Sequence, residues 1–189
     1  MNFAPVETAA EALRQGGVAI VPTDTVVGLV ASAVGLSRLA GTKDRDPAKP
    51  IALLCRSPEE AFAMASEVPK LAHELARRYW PGPLTLVLDD SGGGTVGVRV
   101  PDDSVVRDLL SALGEPLHAT SANLAGEPAP RALKDVHPRL LNAVDVIVDG
   151  VAGSGEASAV VDLSGGNVRL LRSRGDLTED TLNQLRNQA

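Results

Sequence analysis

Aromatic residues, cysteines and long apolar runs are all scarce in this 189-residue sequence. Phe3, Phe62, Tyr79 and Trp80 are its only aromatics, which argues against a surface that stacks the bases of single-stranded nucleic acid. The single Cys55 excludes an internal disulfide and a metal site built from several thiolates. No apolar run approaches the roughly 18 residues that cross a bilayer, and the first residues carry no basic segment before an apolar one. We therefore expect a cytoplasmic protein without membrane contact.

Several familiar catalytic and nucleotide-binding patterns are also missing. There is no G-x-x-x-x-G-K-[ST] phosphate loop and no G-x-G-x-x-G turn, so any nucleotide site must be built differently. The three histidines, His73, His118 and His137, stand in no Ser/His/Asp order and at no metal-ligand spacing. We therefore predict no side chains that hold a metal on their own.

The residues that are present describe an ordinary globular chain. Hydrophobic residues make up 44% and charged residues 22%, with a formal net charge of −6. A chain of this length fits one domain, here residues 1–189, that buries roughly 70% of its unfolded surface. Helical patterns such as "VETAAEALRQGG" alternate with strand patterns such as "VAIVP" and "PIALLC", and "DDSGGG" joins two strands as a hairpin. These patterns predict an α/β domain with a mixed sheet.

The stretch "KDRDPAK", residues 43–49, alternates basic and acidic residues. If its backbone is extended, Lys43, Arg45 and Lys49 share one face while the two aspartates take the other. On a helix only Arg45 and Lys49 would be neighbours, and a solvated surface run is the third interpretation. Pro50 biases Lys49 away from helical geometry, which favours the extended backbone and a concentrated positive charge.

Two further stretches place polar residues two apart at the end of an apolar strand. Thr23 and Thr25 do so in "PTDT", and Ser121 and Asn123 do so in "TSAN". Ligands of open α/β sheets bind beyond strand ends, so these pairs and the basic stretch predict one site. Taken alone, "TSAN" favours a turn or a helix cap over a ligand site. Asp24, which also follows a strand, is more typical of an aspartate that caps a turn.

Taken together, the motifs resemble the YrdC-like family of threonylcarbamoyl-AMP synthases, also called TsaC. The resemblance runs nearly end to end through "PTDTVVGL", "KDRDPAKPI", "WPGPLTLVL", "VGVRVPDD", "PLHATSANLAGEP", "ASAVVDL" and "LLRSRGDL". It implies a single-domain α/β fold with a twisted, open mixed sheet and a basic concave face. It also implies that L-threonine, bicarbonate and ATP yield threonylcarbamoyl-AMP and pyrophosphate, the first step toward threonylcarbamoyladenosine in tRNA.

The resemblance also implies roles for particular residues on the nucleotide side. The family's K-x-R and S-x-N elements fall on Lys43, Arg45, Ser121 and Asn123, which would hold the triphosphate. Lys49 matches the basic residue before the strand and would bind ATP as well. Lys43 and Arg45, with Mg²⁺, would stabilise pyrophosphate as it leaves.

The remaining family positions divide between the two substrates. Thr23 and Arg99 would face the threonine, and Ser158 and Arg172 match late motifs that approach the nucleotide. The implied partners are the proteins that transfer the threonylcarbamoyl group to tRNA, with weak tRNA contact by this chain as a further expectation.

Two alternatives stay open. The chain could be an RNA-binding module that uses the same basic face, although its net negative charge and few aromatics weigh against tight binding. It could also be a paralogue that acts on another carbamoylated substrate. Threonine-dependent release of pyrophosphate from ATP discriminates the synthase from the RNA binder.

Overall fold

The computed structural model of the chain describes residues 3–43 and 51–188, in which seven α-helices alternate with nine strands. The helices are α1 (Val6–Arg14), α2 (Leu36–Thr42), α3 (Pro58–Phe62), α4 (Lys70–Tyr79), α5 (Ser104–Leu113), α6 (Pro138–Leu141) and α7 (Glu179–Arg186). The strands are β1 (Val18–Pro22), β2 (Val27–Ala31), β3 (Ala52–Leu54), β4 (Leu84–Asp89), β5 (Thr95–Arg99), β6 (Leu117–Ser121), β7 (Val146–Ile147), β8 (Ala159–Asp162) and β9 (Arg169–Arg172).

The nine strands form one mixed sheet in the order β7-β1-β2-β6-β3-β5-β4-β8-β9. Three neighbouring pairs are parallel (β1 with β7, β3 with β5 and β4 with β8), and the other five are antiparallel. The predicted hairpin is β4 and β5, whose turn is closed by the Asp90 carboxylate accepting from Gly92 N at 2.7 Å and Gly94 N at 2.9 Å. The predicted mixed sheet is therefore confirmed.

Side chains on the two faces of the sheet pack against different helices. Along β1, Val18 and Ile20 join a core with α2 and α6, whereas Ala19 and Val21 join a core with α1 and α5. At the other end of the sheet, α3, α4 and α7 cover the same face as α2 and α6. The face covered by α1 and α5 has no described helix over β4, β8 and the end of β6. A cavity opens on that part of the face.

Local sequence signals account for several helix boundaries. Gly16, with φ +82°, follows the end of α1, because glycine adopts this conformation at little cost. Ser57 caps α3 by accepting from Glu60 N at 3.3 Å, with Pro58 in the first turn. No described helix has the length and apolarity that crossing a membrane requires.

The basic stretch is described only at its first residue. Lys43 directly follows α2 and has extended backbone, with φ −130° and ψ 151°, as the extended interpretation requires at that position. Arg45, Lys49 and the two aspartates lie outside the described residues. Their shared or opposite faces therefore stay predictions.

Candidate active site

A cavity of about 620 Å³ lies on the open part of the sheet face. Its described lining includes Lys43, Arg99 and Arg172 and no aspartate or glutamate. Concave sites of this size are typical of small-molecule binding. This lining suits an anionic ligand, and the basic character of the whole face stays a prediction.

The floor of the cavity is made of very small residues. Gly28, Ala52, Gly97 and Ala119 line it from four adjacent strands. A Cβ built on Gly97 would meet Thr85 Cγ2 at 3.6 Å and Ala52 Cβ at 3.8 Å, both ordinary contacts, and its φ is not positive. Glycine within a strand often marks a place where a ligand approaches the backbone. Backbone geometry therefore does not require glycine at position 97. A larger residue there would instead take up space on the cavity floor.

Lys43 is fixed at one end of this floor. The residue is only 7% exposed, and its Nζ donates to Ser121 O at 2.8 Å. Ser121 ends β6 opposite Gly28 of β2 and also lines the cavity. The bond to a backbone carbonyl fixes the Lys43 Nζ beside the cavity.

Asn123 closes a turn, which is one of the two roles that its sequence context allowed, and its role toward a ligand stays a prediction. Its Nδ2 donates to Leu124 O at 3.0 Å and to Glu127 O at 2.7 Å, so it closes the following turn. Its Oδ1 is buried without a hydrogen-bond partner although the residue lines the cavity. Buried polar atoms in proteins are nearly always paired. The capping role is therefore present, and the remaining oxygen is available to a ligand that donates.

The hydroxyls of Thr23 and Thr25 form a directed chain at the β1–β2 loop. Arg99 Nη1 donates to Thr25 Oγ1 at 3.0 Å, and Thr23 Oγ1 donates to Val26 O at 2.8 Å. The two hydroxyl oxygens lie 2.9 Å apart. Because the one hydroxyl hydrogen of Thr23 is used on Val26, Thr25 must donate to Thr23. Thr23 Oγ1 also accepts from Thr25 N at 3.1 Å, so its hydrogen-bonding capacity is used within the protein.

The same loop is fixed from behind by residues 153–155. The N–H groups of Gly153, Ser154 and Gly155 donate to the carbonyls of Thr23, Asp24 and Thr25 at 2.8, 3.3 and 2.7 Å. A Cβ on Gly153 would lie 2.3 Å from the Asp24 carbonyl oxygen. Only glycine permits so close an approach of two backbones. The loop therefore has little freedom to move.

Arg99 is buried and has all of its nitrogen atoms engaged. Its Nη2 donates to Asp24 Oδ1, and its Nε donates to Gly82 O of the "WPGP" turn at 3.0 Å. Burial lowers the pKa of the Arg99 guanidinium, and the adjacent Asp24 opposes that shift. The second carboxylate oxygen of Asp24 is buried without a partner. Arg99 thus enters the cavity lining as half of an ion pair.

Arg172 enters the same lining without an acidic partner among the described residues. Its Nε donates to Ser158 O at 2.5 Å and its Nη2 to Ser158 Oγ at 3.2 Å. Arg172 lies opposite Val160, next to a register shift between Val160 and Val161 in the β8–β9 pair. Partial burial lowers the pKa of Arg172, and the nearby charges of Arg99 and Arg174 lower it further.

Thr85 is a cavity residue that the sequence interpretation missed. Its hydroxyl lies 2.9 Å from Ser158 Oγ, and both residues are buried. The available signal was one polar residue inside the apolar strand "LTLVL". Asp162 caps the turn that follows β8, accepting from Ser164 N at 3.0 Å and Ser164 Oγ at 2.6 Å.

The structure brings seven of the nine expected site residues to one cavity: Thr23, Lys43, Arg99, Ser121, Asn123, Ser158 and Arg172. The other two, Arg45 and Lys49, lie outside the described residues. Within the described ranges, no three His, Cys, Asp or Glu side chains are placed to hold a metal ion. Which substrate each residue contacts stays a prediction.

Known proteins of one family are similar in sequence to this chain. A threonylcarbamoyl-AMP synthase of Pyrococcus abyssi is 34% identical over 183 residues, covering 90% of this chain and 54% of that protein. Another from Chromohalobacter salexigens is 32% identical over 173 residues, covering 85% of this chain and 94% of that protein. The chain therefore spans about half of the first relative and nearly all of the second.

The fold agrees with these sequence matches. The crystal structure of P. abyssi Sua5 complexed with L-threonine superposes with a TM-score of 0.85 at 32% identity, covering 95% of this chain and 56% of that one. This agreement confirms the predicted twisted α/β fold. The family profile Sua5/YciO/YrdC, described as "Telomere recombination", matches residues 11–174. The chain, whose polar cavity has a floor of small residues, belongs to the Sua5/YciO/YrdC family.

Proposed function

We propose that this chain is an L-threonylcarbamoyladenylate synthase, which makes threonylcarbamoyl-AMP and pyrophosphate from L-threonine, bicarbonate and ATP. One observation carries the proposal: family-motif residues from Thr23 to Arg172 line a single cavity in a chain whose similar proteins carry this name. The threonine-bound P. abyssi Sua5 supports the choice of amino acid.

The reaction needs positioning more than a reactive side chain. The threonine amine first combines with bicarbonate to give a carbamate and water. A carbamate oxygen then attacks the α-phosphorus of ATP, and the bond to the bridging oxygen breaks to release pyrophosphate. Holding two reactants in the correct geometry can lower a barrier by about 7–11 kcal/mol at best. A cavity of binding residues can therefore act as a catalyst without a side-chain nucleophile.

Charge neutralisation is the second requirement, because both reactants are anions. Lys43 and Arg172 are cations in the lining that hydrogen-bond Ser121 and Ser158. Fixed cations of this kind stabilise negative charge on the triphosphate and on departing pyrophosphate. In this proposal Arg45 adds a third cation, and Mg²⁺ enters with ATP, bound by triphosphate oxygens as is usual for this ion.

The proposed product sets the biological context. Threonylcarbamoyl-AMP passes to the proteins that transfer its acyl group to tRNA, which places this chain in the cytoplasm with tRNA-modifying partners. Any contact of this chain with tRNA itself is weak in this proposal, because its net charge is −6.

Isotope labelling tests the proposed reaction directly. Purified protein is incubated with Mg·ATP, L-threonine and ¹³C-bicarbonate, and the adenylate is analysed by mass spectrometry while pyrophosphate is assayed. We expect a labelled threonylcarbamoyl adenylate whose formation stops when either small substrate is omitted.

Other outcomes identify the alternatives. An amino-acid-activating enzyme would form unlabelled threonyl-AMP without bicarbonate, which would refute the proposal even though pyrophosphate is released. An RNA-binding module would release no pyrophosphate. A paralogue for another carbamoylated substrate would release it only with that compound.

A further inference from the structure

We propose that Thr85 is a positioning residue, which orients the Ser158 hydroxyl so that Ser158 and Arg172 donate together to a phosphate oxygen of ATP. The sequence patterns assign no role to Thr85, and its contacts in the folded chain supply one. This inference rests on the proposed function, because it explains how one part of that site is held in place.

The hydroxyls of Thr85 and Ser158 hold one hydrogen more than their contacts use. Ser158 Oγ accepts from Arg172 Nη2 at 3.2 Å and lies 2.9 Å from Thr85 Oγ1. Each hydroxyl has one hydrogen and two acceptor lone pairs. The bond between the two hydroxyls uses one of their two hydrogens, and no acceptor for the other is found among the described residues. One hydroxyl hydrogen is therefore left for a ligand.

Burial limits where that hydrogen can find a partner. Thr85 is 8% exposed and Ser158 is 6% exposed, and both residues line the cavity. Buried polar groups are nearly always paired with the protein or with water. The cavity is the one space that both hydroxyls face, so the missing acceptor is a group that binds there.

The position of Arg172 indicates which of the two hydroxyls carries the unused hydrogen. Arg172 bonds Ser158 twice, through its carbonyl and its hydroxyl, and has no described bond to Thr85. An anion that binds the remaining N–H groups of Arg172 is therefore beside Ser158. Hydrogen bonds to a charged oxygen are roughly twice as strong as neutral ones, so the Ser158 hydrogen goes to that anion. Thr85 then donates to Ser158, whose two lone pairs are used by Thr85 and Arg172.

The sheet holds Thr85 in the orientation that this role requires. Thr85 lies on β4, which pairs in parallel with β8, and Ala159 N donates to Pro83 O at 2.8 Å. A Cβ built on Gly97 would meet Thr85 Cγ2 at 3.6 Å, so the Thr85 methyl lies toward the cavity floor while its hydroxyl lies toward Ser158. Groups carried by strands are placed more precisely than groups on loops.

The first test removes the Thr85 hydroxyl and keeps the shape of the side chain. Binding of Mg·ATP is measured by calorimetry, and steady-state kinetics gives the KM of each substrate. Thr85→Val should raise both the Kd and the KM for ATP by about tenfold, while the KM for threonine and for bicarbonate stays within about twofold. Thr85→Ser, which keeps the hydroxyl, should restore ATP binding. Thr95→Val makes the same change on the exposed start of β5 and should leave ATP binding unaltered.

A double-mutant cycle tests whether Thr85 acts through Ser158. Ser158→Ala should weaken ATP binding by about tenfold or more. In the Ser158→Ala protein, adding Thr85→Val should change the Kd for ATP by no more than about twofold, because the group that Thr85 orients is already absent. Losses that multiply in the double variant would overturn the positioning role, since Thr85 would then act independently of Ser158.

A purely structural role for Thr85 gives a different result. It would lower the melting temperature of Thr85→Val without ligand and leave the Kd for ATP unchanged, which would overturn the inference. A rise confined to the KM for threonine or bicarbonate would overturn it as well. Circular dichroism checks that each variant is folded, and Thr85→Ala takes the place of Thr85→Val if the latter is not.

The failures of the two proposals are distinguishable, because ATP binding is measured without threonine or bicarbonate. If the wild type makes no threonylcarbamoyl adenylate, the proposed function is wrong, and the calorimetric comparison still tests Thr85. If the wild type makes the adenylate and Thr85→Val binds ATP as tightly as the wild type, the positioning role is wrong and the function stands. A wild type that binds no ATP would overturn both.

Discussion

Arg99 and Arg172 line the same cavity, each at the end of a strand, yet the protein uses them differently. Arg99 is 6% exposed and its guanidinium is engaged by Asp24, Thr25 and Gly82. Arg172 is more exposed and, among the described residues, hydrogen-bonds only Ser158, through one carbonyl and one hydroxyl. The first arginine is neutralised by Asp24, whereas the second has no acidic partner among the described residues.

This difference separates two kinds of site residue that look alike in sequence. Removing a cation from water costs free energy, so a buried cation needs an acidic partner. Once it is paired, little net charge remains to attract an anionic substrate. A partly exposed cation next to neutral oxygens keeps a field that can attract phosphate or carboxylate. An arginine's environment, rather than its presence, therefore decides which ligand group it serves.

The largest expected effect comes from breaking the buried pair. Asp24→Ala should lower the free energy of unfolding by roughly 3–5 kcal/mol, because it leaves Arg99 buried and uncompensated. Urea denaturation followed by circular dichroism measures the loss. Asp102→Ala, which removes an exposed partner of Arg107 at 3.2 Å, should cost only about 0–1 kcal/mol. Equal losses in the two variants would show that the Arg99 pair is not a special feature of the fold.

Removing the unneutralised arginine should affect binding more than stability. Arg172→Ala should weaken ATP binding or raise the KM for ATP by roughly ten- to a hundredfold, since charged hydrogen bonds contribute about 1.5–3 kcal/mol. Steady-state kinetics with varied ATP checks this prediction. Arg169→Ala is the control on the same strand, because Arg169 is paired with Asp162 at 2.6 Å and lies outside the cavity lining. An ATP dependence that is the same in both variants would contradict the ligand role.

Asn123→Ala should reveal both roles of that side chain. Losing the bonds to Leu124 and Glu127 should destabilise the free protein by about 0.5–2 kcal/mol, as loss of a cap does. Losing the unpartnered Oδ1 should also reduce the increase in melting temperature that ATP produces. Thermal denaturation with and without ATP measures the two effects. Full stabilisation by ATP in the variant would leave capping as the only role.

The smallest expected effect on stability is an increase, in contrast to the losses expected for the other variants. Gly97→Ala should raise the free energy of unfolding by about 0.5–1 kcal/mol, because alanine loses less backbone entropy in a strand and its Cβ meets nothing closer than 3.6 Å. The same methyl group reduces the open floor, so activity should fall. Gly41→Ala on α2, where a Cβ would meet nothing within 4 Å, should stabilise comparably and keep activity. A more stable and fully active Gly97→Ala protein would contradict the proposed floor.

Much of the architecture could be predicted because local signals specify it. Apolar periodicity, the Ser57 cap and the turn at Asp90 predict their elements from a few neighbouring residues. Polar residues at strand ends also predicted a common site, and the structure places Ser121 and Asn123 at the same cavity as Thr23. Thr85 was missed because one polar residue in an apolar strand does not indicate which face it lies on relative to a site.

The sequence by itself determined the alternation of helices and strands and the identity of the polar residues at their ends. Only the tertiary structure decided which of those side chains remain available to a ligand. Arg99 meets Asp24 across 75 residues of chain, and Gly153 reaches the Thr23 carbonyl from a distant loop. Hydrogen-bonding capacity is used up by whichever partners the fold brings within about 3 Å. No local pattern around Arg99 or Thr23 could reveal those partners.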